Sequence, residues 1–163
     1  MESITCFQGA KTLVQLAGKR GEGLSNLKVQ KLLYFANMIY IGEYGRDNPL
    51  VQENFLTWEY GPAIDILYRR LKDYDRTSVK MEAFDDIVSI MDEKTLKPVK
   101  PDFESHVRHL KDAYDRWGHF NPYKLIGISH WSEGAWRRTK DKGESVISNS
   151  LIKEEFDARY LYD

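Results

Sequence analysis

Apolar positions recur along this chain with a helical period in most segments and fill nearly every position in one. From Ile4 to Ala17 the spacing predicts a first helix, with Leu13, Leu16 and Ala17 on one side and Gly18, Gly21 and Gly23 ending it. Ser25 is placed to cap a second helix. Within it Val29, Leu32, Leu33, Ala36 and Tyr40 form one stripe, while Tyr34, Phe35, Met38 and Ile41 cover much of the remaining circumference. A helix that is apolar on nearly all sides is buried on most of them. This one is therefore expected at the centre of the core, ending at Gly42 and Gly45.

Asp47-Asn48-Pro49 has the composition of a turn. Phe55 to Tyr60 is aromatic and β-prone, which predicts a short strand. Gly61-Pro62 reads as the start of the next helix, with proline at the first helical position, where its missing N–H costs nothing. Ile64, Leu67, Tyr68 and Leu71 give that helix an apolar face. Asp65 falls near its positive end, and Arg69, Arg70 and Lys72 near its negative end, as the helix dipole favours. The pattern weakens between Thr77 and Lys100, where Phe84, Ile87, Val88 and Met91 fit a helical stripe and Pro98 and Pro101 mark a loop. Phe103, His106, Val107, Leu110, Tyr114 and Trp117 then predict a long helix stopped by Gly118. Asn121-Pro122 caps a short helix bearing Leu125, Ile126 and Ile128. Trp131 to Lys142 predicts another, ending at Gly143, and Ser150 is the expected cap of a last one with Ile152, Phe156 and Tyr160. The sum is a mainly α protein: one compact helical bundle over residues 1–163 around a buried central helix, with a small β element near residues 55–60.

Composition narrows the function classes. A chain of 163 residues with 42% hydrophobic content suits a single core. Its most apolar run, Leu32 to Ile41, is about half the length needed to span a bilayer, and Met1-Glu2-Ser3 does not open a secretory leader. A cytoplasmic protein without a membrane segment is expected. With 24 basic and 25 acidic residues the net charge is −1, which argues against a dedicated nucleic-acid binder. The single cysteine, Cys6, supports neither a disulfide framework nor a cysteine-based zinc site, and reads as a small half-buried hydrophobe. Gly21-Glu22-Gly23 lacks the lysine and hydroxyl residue of a phosphate loop. No cofactor and no metal are expected.

The remaining candidates each have a plainer reading. His106 and His109 are three apart on a helix, a spacing that can serve a metal, but His106 falls in the apolar stripe and His109 outside it. One core and one surface histidine is the better reading. Ser129, His130 and Glu133 invite a nucleophile–base–orienter arrangement, hence a hydrolase centred on His130. Adjacent serine and histidine side chains point apart, however, and no nucleophile elbow is present; a histidine that caps or bridges helix ends is preferred. Arg137, Arg138, Lys140 and Lys142, beside Trp136, form a basic patch able to touch phosphates as in a DNA-binding autorepressor. The interspersed Asp141 and Glu144 favour a solvated face. Trp58, Tyr60, Trp131 and Trp136 serve equally as core or interface residues.

Taken together, Leu27 to Ala36 with its Lys-Leu-Leu-Tyr-Phe-Ala ending, Tyr44-Gly45 with Pro49-Leu50, Phe55-x-x-Trp58-x-Tyr60-Gly61-Pro62, and Ser129-His130 with Trp136 resemble the Panacea antitoxin domain. This is the SocA-like family, which includes GepA-type phage-associated proteins. The resemblance runs from about Leu24 to Phe156. It implies a non-enzymatic antitoxin that neutralises the product of a neighbouring toxin gene by direct protein contact. One member of the family instead acts as an adaptor that delivers its toxin to the ClpXP protease, so ClpXP is a second implied partner. Under this reading no residue is catalytic, and the toxin-binding surface is expected to include Trp58, Tyr60, Arg69, His130 and Arg137.

Overall fold

The computed structural model describes residues 2–161. Met1 of the leader reading, and the last two positions of the domain reading, lie outside them. Among the described residues the chain forms seven α-helices, three short 3-10 turns and one two-stranded sheet. The mainly α architecture expected from the periodicity is the one observed.

The second helix, α2 (Asn26–Tyr44), is the hub. Ser25 caps it by accepting the Lys28 N–H, and every residue from Val29 to Ile41 is buried. Around it pack α1 (Cys6–Lys19), α3 (Asp65–Leu71), α4 (Glu104–Trp117), α5 (Pro122–Ser129) and α7 (Asn149–Arg159). The sixth helix, α6 (Ala135–Asp141), lies against α7 and the first strand. Aromatic contacts key these layers together: Phe35 stacks on Trp117 at 4.7 Å, and Tyr34 meets Phe55 edge-on at 5.2 Å. Each fully buried Leu or Phe on α2 contributes about 1.5–3 kcal/mol, so the all-round burial of this helix is the main source of the core's stability.

Several boundaries differ from the sequence expectation, each for a local reason. The first helix begins at Cys6, because Thr5 and Gln8 form a reciprocal capping box there. Cys6 itself is fully buried, not half-buried, and burial together with Glu53 holds its thiol well above the usual range. Gly42 does not end α2; the helix continues to Tyr44, and Gly45, at φ +95°, ends it. Gly42 is needed for room instead, since a Cβ there would lie 2.4 Å from the Phe156 ring of α7.

The Gly61-Pro62 pair does not open a helix. The strand β1 (Leu56–Trp58) turns at Glu59-Tyr60 and returns as β2 (Gly61–Ala63), with Thr57 opposite Pro62 and Trp58 opposite Gly61. Gly61 sits at φ +102°, which only glycine adopts freely. The helix α3 starts at Asp65, and its Tyr68, expected on the core face, is 43% exposed while Ile64, Leu67 and Leu71 are buried. The weak pattern of residues 77–100 gives no α-helix, only a 3-10 turn at Met81–Phe84 and irregular chain. Phe84 and Met91 are buried there but Val88 is 75% exposed. The helix expected from Trp131 starts at Ala135, and Ser148, not Ser150, caps α7 by accepting the Leu151 N–H. Finally, His109 is not a surface histidine. It is buried between Tyr40 and Tyr44, donates through Nδ1 to the Ser105 carbonyl at 2.6 Å, and places Nε2 2.5 Å from Glu43. The aromatic rings of α2 extend the apolar face of α4 further round the helix than its own residues suggest.

The Gly42–Phe156 contact is directly testable. Gly42→Ala gains helix propensity of up to about 1 kcal/mol but overpacks the site, at about 1–3 kcal/mol. Urea denaturation should show net destabilisation in the single variant. In the Phe156→Ala background, where the ring is gone, the same change should become neutral or stabilising.

Candidate functional site

The three sequence segments that stand out most clearly, on α2, around residues 55–62, and at the α5–α6 junction, converge on one feature: the β1–β2 hairpin. From α2, Lys31 donates through Nζ to the Pro62 carbonyl at 3.0 Å, and Gln30 accepts the Ile64 N–H at 2.9 Å. From α6, the Trp136 indole N–H donates to the Trp58 carbonyl at 2.8 Å. From α5, Ser129 is buried directly under the hairpin; a Cβ on Gly61 would lie 2.6 Å from its Oγ and 2.8 Å from Lys31 Cε. Outside, Thr57 pairs with the 144–147 segment, its N–H donating to the Ser145 carbonyl at 3.0 Å. The hairpin is thus fixed by side chains from α2, α5 and α6 as well as by its own ladder. An isolated two-stranded hairpin is marginal in water; these braces hold it in place.

The hairpin turn presents an acid, the exposed Glu59, and an aromatic ring outward. Tyr60, at the turn, is 64% exposed. Trp58 is half-buried and meets Tyr68 of α3 edge-on at 5.2 Å, and Tyr68 is itself exposed. Arg69, next along α3, is exposed and paired with Asp65 at 3.1 Å. Trp131 is half-buried, with the Arg159 guanidinium 4.7 Å from its ring centre, whereas Trp136 is core. The four aromatic residues of the sequence reading therefore divide: Tyr60 and Trp58 face outward, Trp131 is intermediate, and Trp136 serves as a brace.

His130 lies flat on Trp136, with ring centres 3.8 Å apart and planes 8° apart. Burial, and then the nearby Arg137, Lys31 and Lys140 charges, hold its pKa below the ordinary value; the Glu59 backbone carbonyl acts in the opposite direction. Its Nε2 is buried without a hydrogen-bond partner among the described residues. Ser129 donates its hydroxyl to the Ile126 carbonyl at 2.8 Å, and Glu133 is exposed on the turn before α6. Among the described residues no hydrogen bond joins Ser129, His130 and Glu133. Nor does any group of three His, Cys, Asp or Glu side chains among them form a candidate metal site.

Two charged residues escaped the sequence reading. Lys31 sits inside the apolar helix, 1% exposed, and burial lowers its pKa to about 7. Glu155 of α7, also 1% exposed, accepts from the Tyr34 hydroxyl and from the Ala135 N–H, both at 3.0 Å, so it caps α6 in place of a side chain from the preceding turn. Burial raises its pKa. The available signal was position alone: a lysine flanked on every helical face by apolar residues, and a glutamate on the inner side of the last helix.

The Lys31 site has a signed pH dependence. The folded pKa lies below the unfolded value of about 10.4. Between about pH 7 and pH 10 the unfolded chain therefore binds the extra proton, and native stability gains up to about 1.4 kcal/mol per pH unit as pH rises. Lys31→Met removes that term. Urea midpoints measured from pH 6.5 to 9.5 should show the wild type gaining on Lys31→Met with increasing pH, and parallel curves would refute a buried, displaced lysine.

Known proteins are similar to this chain over the stretch that holds these segments. The family of SocA-like antitoxins with a Panacea domain matches residues 29–137, a span that holds Lys31, the hairpin, Ser129-His130 and Trp136. The Antitoxin SocA of Caulobacter vibrioides is 28% identical over 136 residues, covering 83% of this chain and 70% of that protein. No solved structure matches the chain. Among the described residues no helix is long and apolar enough to cross a membrane. With two thirds of its length inside the family match, including each brace of the hairpin from α2, α5 and α6, the chain belongs to the SocA-like antitoxin family that carries the Panacea domain.

Proposed function

We propose that this protein is a cytoplasmic antitoxin that neutralises a cognate protein toxin by binding it directly, without catalysis. The observation that carries this reading is the braced hairpin. Buried side chains from α2, α5 and α6 fix a short loop whose outward residues include the aromatic Tyr60 and Trp58. Rigid aromatic side chains lose little entropy on binding and are the commonest anchors of protein interfaces. Fixing the loop in advance removes the ordering cost that a mobile loop would bring to association. Tyr60 and Trp58 form the centre of the proposed contact, with Arg69 on α3 and His130 and Arg137 on the α5–α6 side as further contact residues. An interface of ordinary size, about 1,200–2,000 Å² in total, would extend from the hairpin onto those helices.

The test is co-expression with the product of the adjacent gene. That product should be toxic alone, harmless with the wild-type protein, and recovered as a stable complex. Tyr60→Ala removes an exposed side chain, so its unfolding free energy should stay within about 0.5 kcal/mol of wild type, while toxin affinity falls roughly tenfold or more. Unchanged affinity would remove the hairpin from the interface, and a harmless neighbour would remove the antitoxin reading. Toxin half-life should not depend on ClpXP; a half-life that shortens in the presence of this protein and recovers without ClpXP would replace neutralisation with delivery to the protease.

A further inference from the structure

Beside the hairpin, α6 carries two cations against one aromatic ring. The Arg137 guanidinium carbon is 4.9 Å, and the Lys140 ammonium 5.5 Å, from the centre of the Trp136 ring. Among the described residues neither has a carboxylate within ion-pair distance, whereas Arg138 on the same helix is paired with Glu154 and Arg69 with Asp65. A guanidinium or ammonium resting on an indole is held in place by the ring, with its remaining N–H donors free to point away. The field of these cations is already felt locally, since both act to disfavour the charged form of His130. The Trp136 that carries them also hydrogen-bonds the Trp58 carbonyl, so the cation pair and the aromatic hairpin share one brace.

We infer that Arg137 and Lys140 receive a carboxylate from an acidic stretch of the toxin's surface, next to the contact made by Tyr60. This rests on the proposed direct binding and adds the chemistry of the partner. Charge complementarity favours a protein acid over a nucleic-acid backbone. Asp141 and Glu144 interrupt the basic run, Arg138 is neutralised by Glu154, and the chain's net charge is −1. Two such cations suit one or two carboxylates; a duplex that contacts many phosphates needs a longer basic track. Aromatic and arginine groups side by side are also the composition of a protein-binding centre.

The experiment is calorimetric titration of the purified product of the adjacent gene into the full-length protein at several salt concentrations. Arg137→Glu/Lys140→Glu should weaken binding roughly tenfold or more at low salt and flatten its salt dependence. Lys97→Glu/Lys100→Glu, an equal charge change on the loop before α4, should have little effect. In the free double variant, the NMR titration of His130 should shift to higher pH, which shows that the fold and the local field are as described. Lysine substitutions of toxin acids should then restore affinity for the variant and weaken it for the wild type. Affinity within about twofold of wild type for the double variant, with His130 shifted, overturns this inference and leaves direct binding standing. Unchanged toxin affinity with loss of low-salt binding to a duplex DNA probe assigns the pair to nucleic acid instead and equally overturns it. No binding of the neighbour by the wild-type protein overturns both readings.

Discussion

Burial of α2 on every side is the constraint from which the rest of the structure follows. A helix in that position satisfies its own backbone, but each polar side chain it carries inward must find a partner, because an unpaired buried polar group costs on the order of 1–3 kcal/mol. The partners come from the chain segments wrapped around it. Asn37 accepts the Leu50 N–H, Asn26 donates to the Tyr68 carbonyl, Gln30 accepts the Ile64 N–H, Lys31 donates to the Pro62 carbonyl, and Tyr34 donates to Glu155. These five contacts fix where the chain after α2 returns, where the hairpin and α3 sit, and where the last helix docks. The apolar residues of α2 provide the driving force, and its few polar ones set the position of their neighbours.

The hairpin shows how this arrangement reaches the surface. Gly61 lacks a side chain because Ser129 and Lys31 occupy the space a Cβ would take, and its positive φ turns the chain into β2. The Lys31 ammonium, a donor only, is met by the Pro62 carbonyl. Trp136 secures the opposite strand and carries His130 on its ring. The same residues that pack the interior thereby hold Tyr60 and Trp58 outward. One set of contacts serves both stability and presentation, and a substitution at Lys31, Gly61 or Trp136 would disturb both together, whereas Tyr60 separates them.

Electrostatics around this region are consistent with that division. Burial lowers the pKa of Lys31, whose ammonium donates to the Pro62 carbonyl, and with Arg137 and Lys140 it disfavours protonation of His130. Glu155 accepts from Tyr34 and Ala135 and its second oxygen sits 3.7 Å from Arg159, so a buried carboxylate joins three helices. Lys31 and Tyr34 are one turn apart on the same side of α2, so the positive and the negative buried group are held by one face of the central helix.

Much of the fold was legible in the chain because local rules were enough. The all-round apolar pattern of α2, the long stripe of α4, the caps at Ser25 and Asn121, and the mainly α class all follow from periodicity and capping chemistry. The grouping of the α2 segment, residues 55–62 and Ser129-His130 with Trp136 was also visible, as a resemblance in sequence order. Which residues brace and which face outward was not. Gly61-Pro62 reads locally as a helix start and becomes a strand because distant Lys31 and Ser129 pack against it and Trp136 holds the strand opposite. Gly42 reads as a helix stop and is instead a clearance for Phe156, and His109 reads as exposed and is enclosed by Tyr40 and Tyr44. The sequence by itself determined the elements and the helix around which they gather, because propensity and periodicity act over a few residues. Only the tertiary structure decided the hairpin, the exposure of Tyr60 beside a half-buried Trp58, and the two cations against Trp136, because those depend on contacts between residues far apart in the chain.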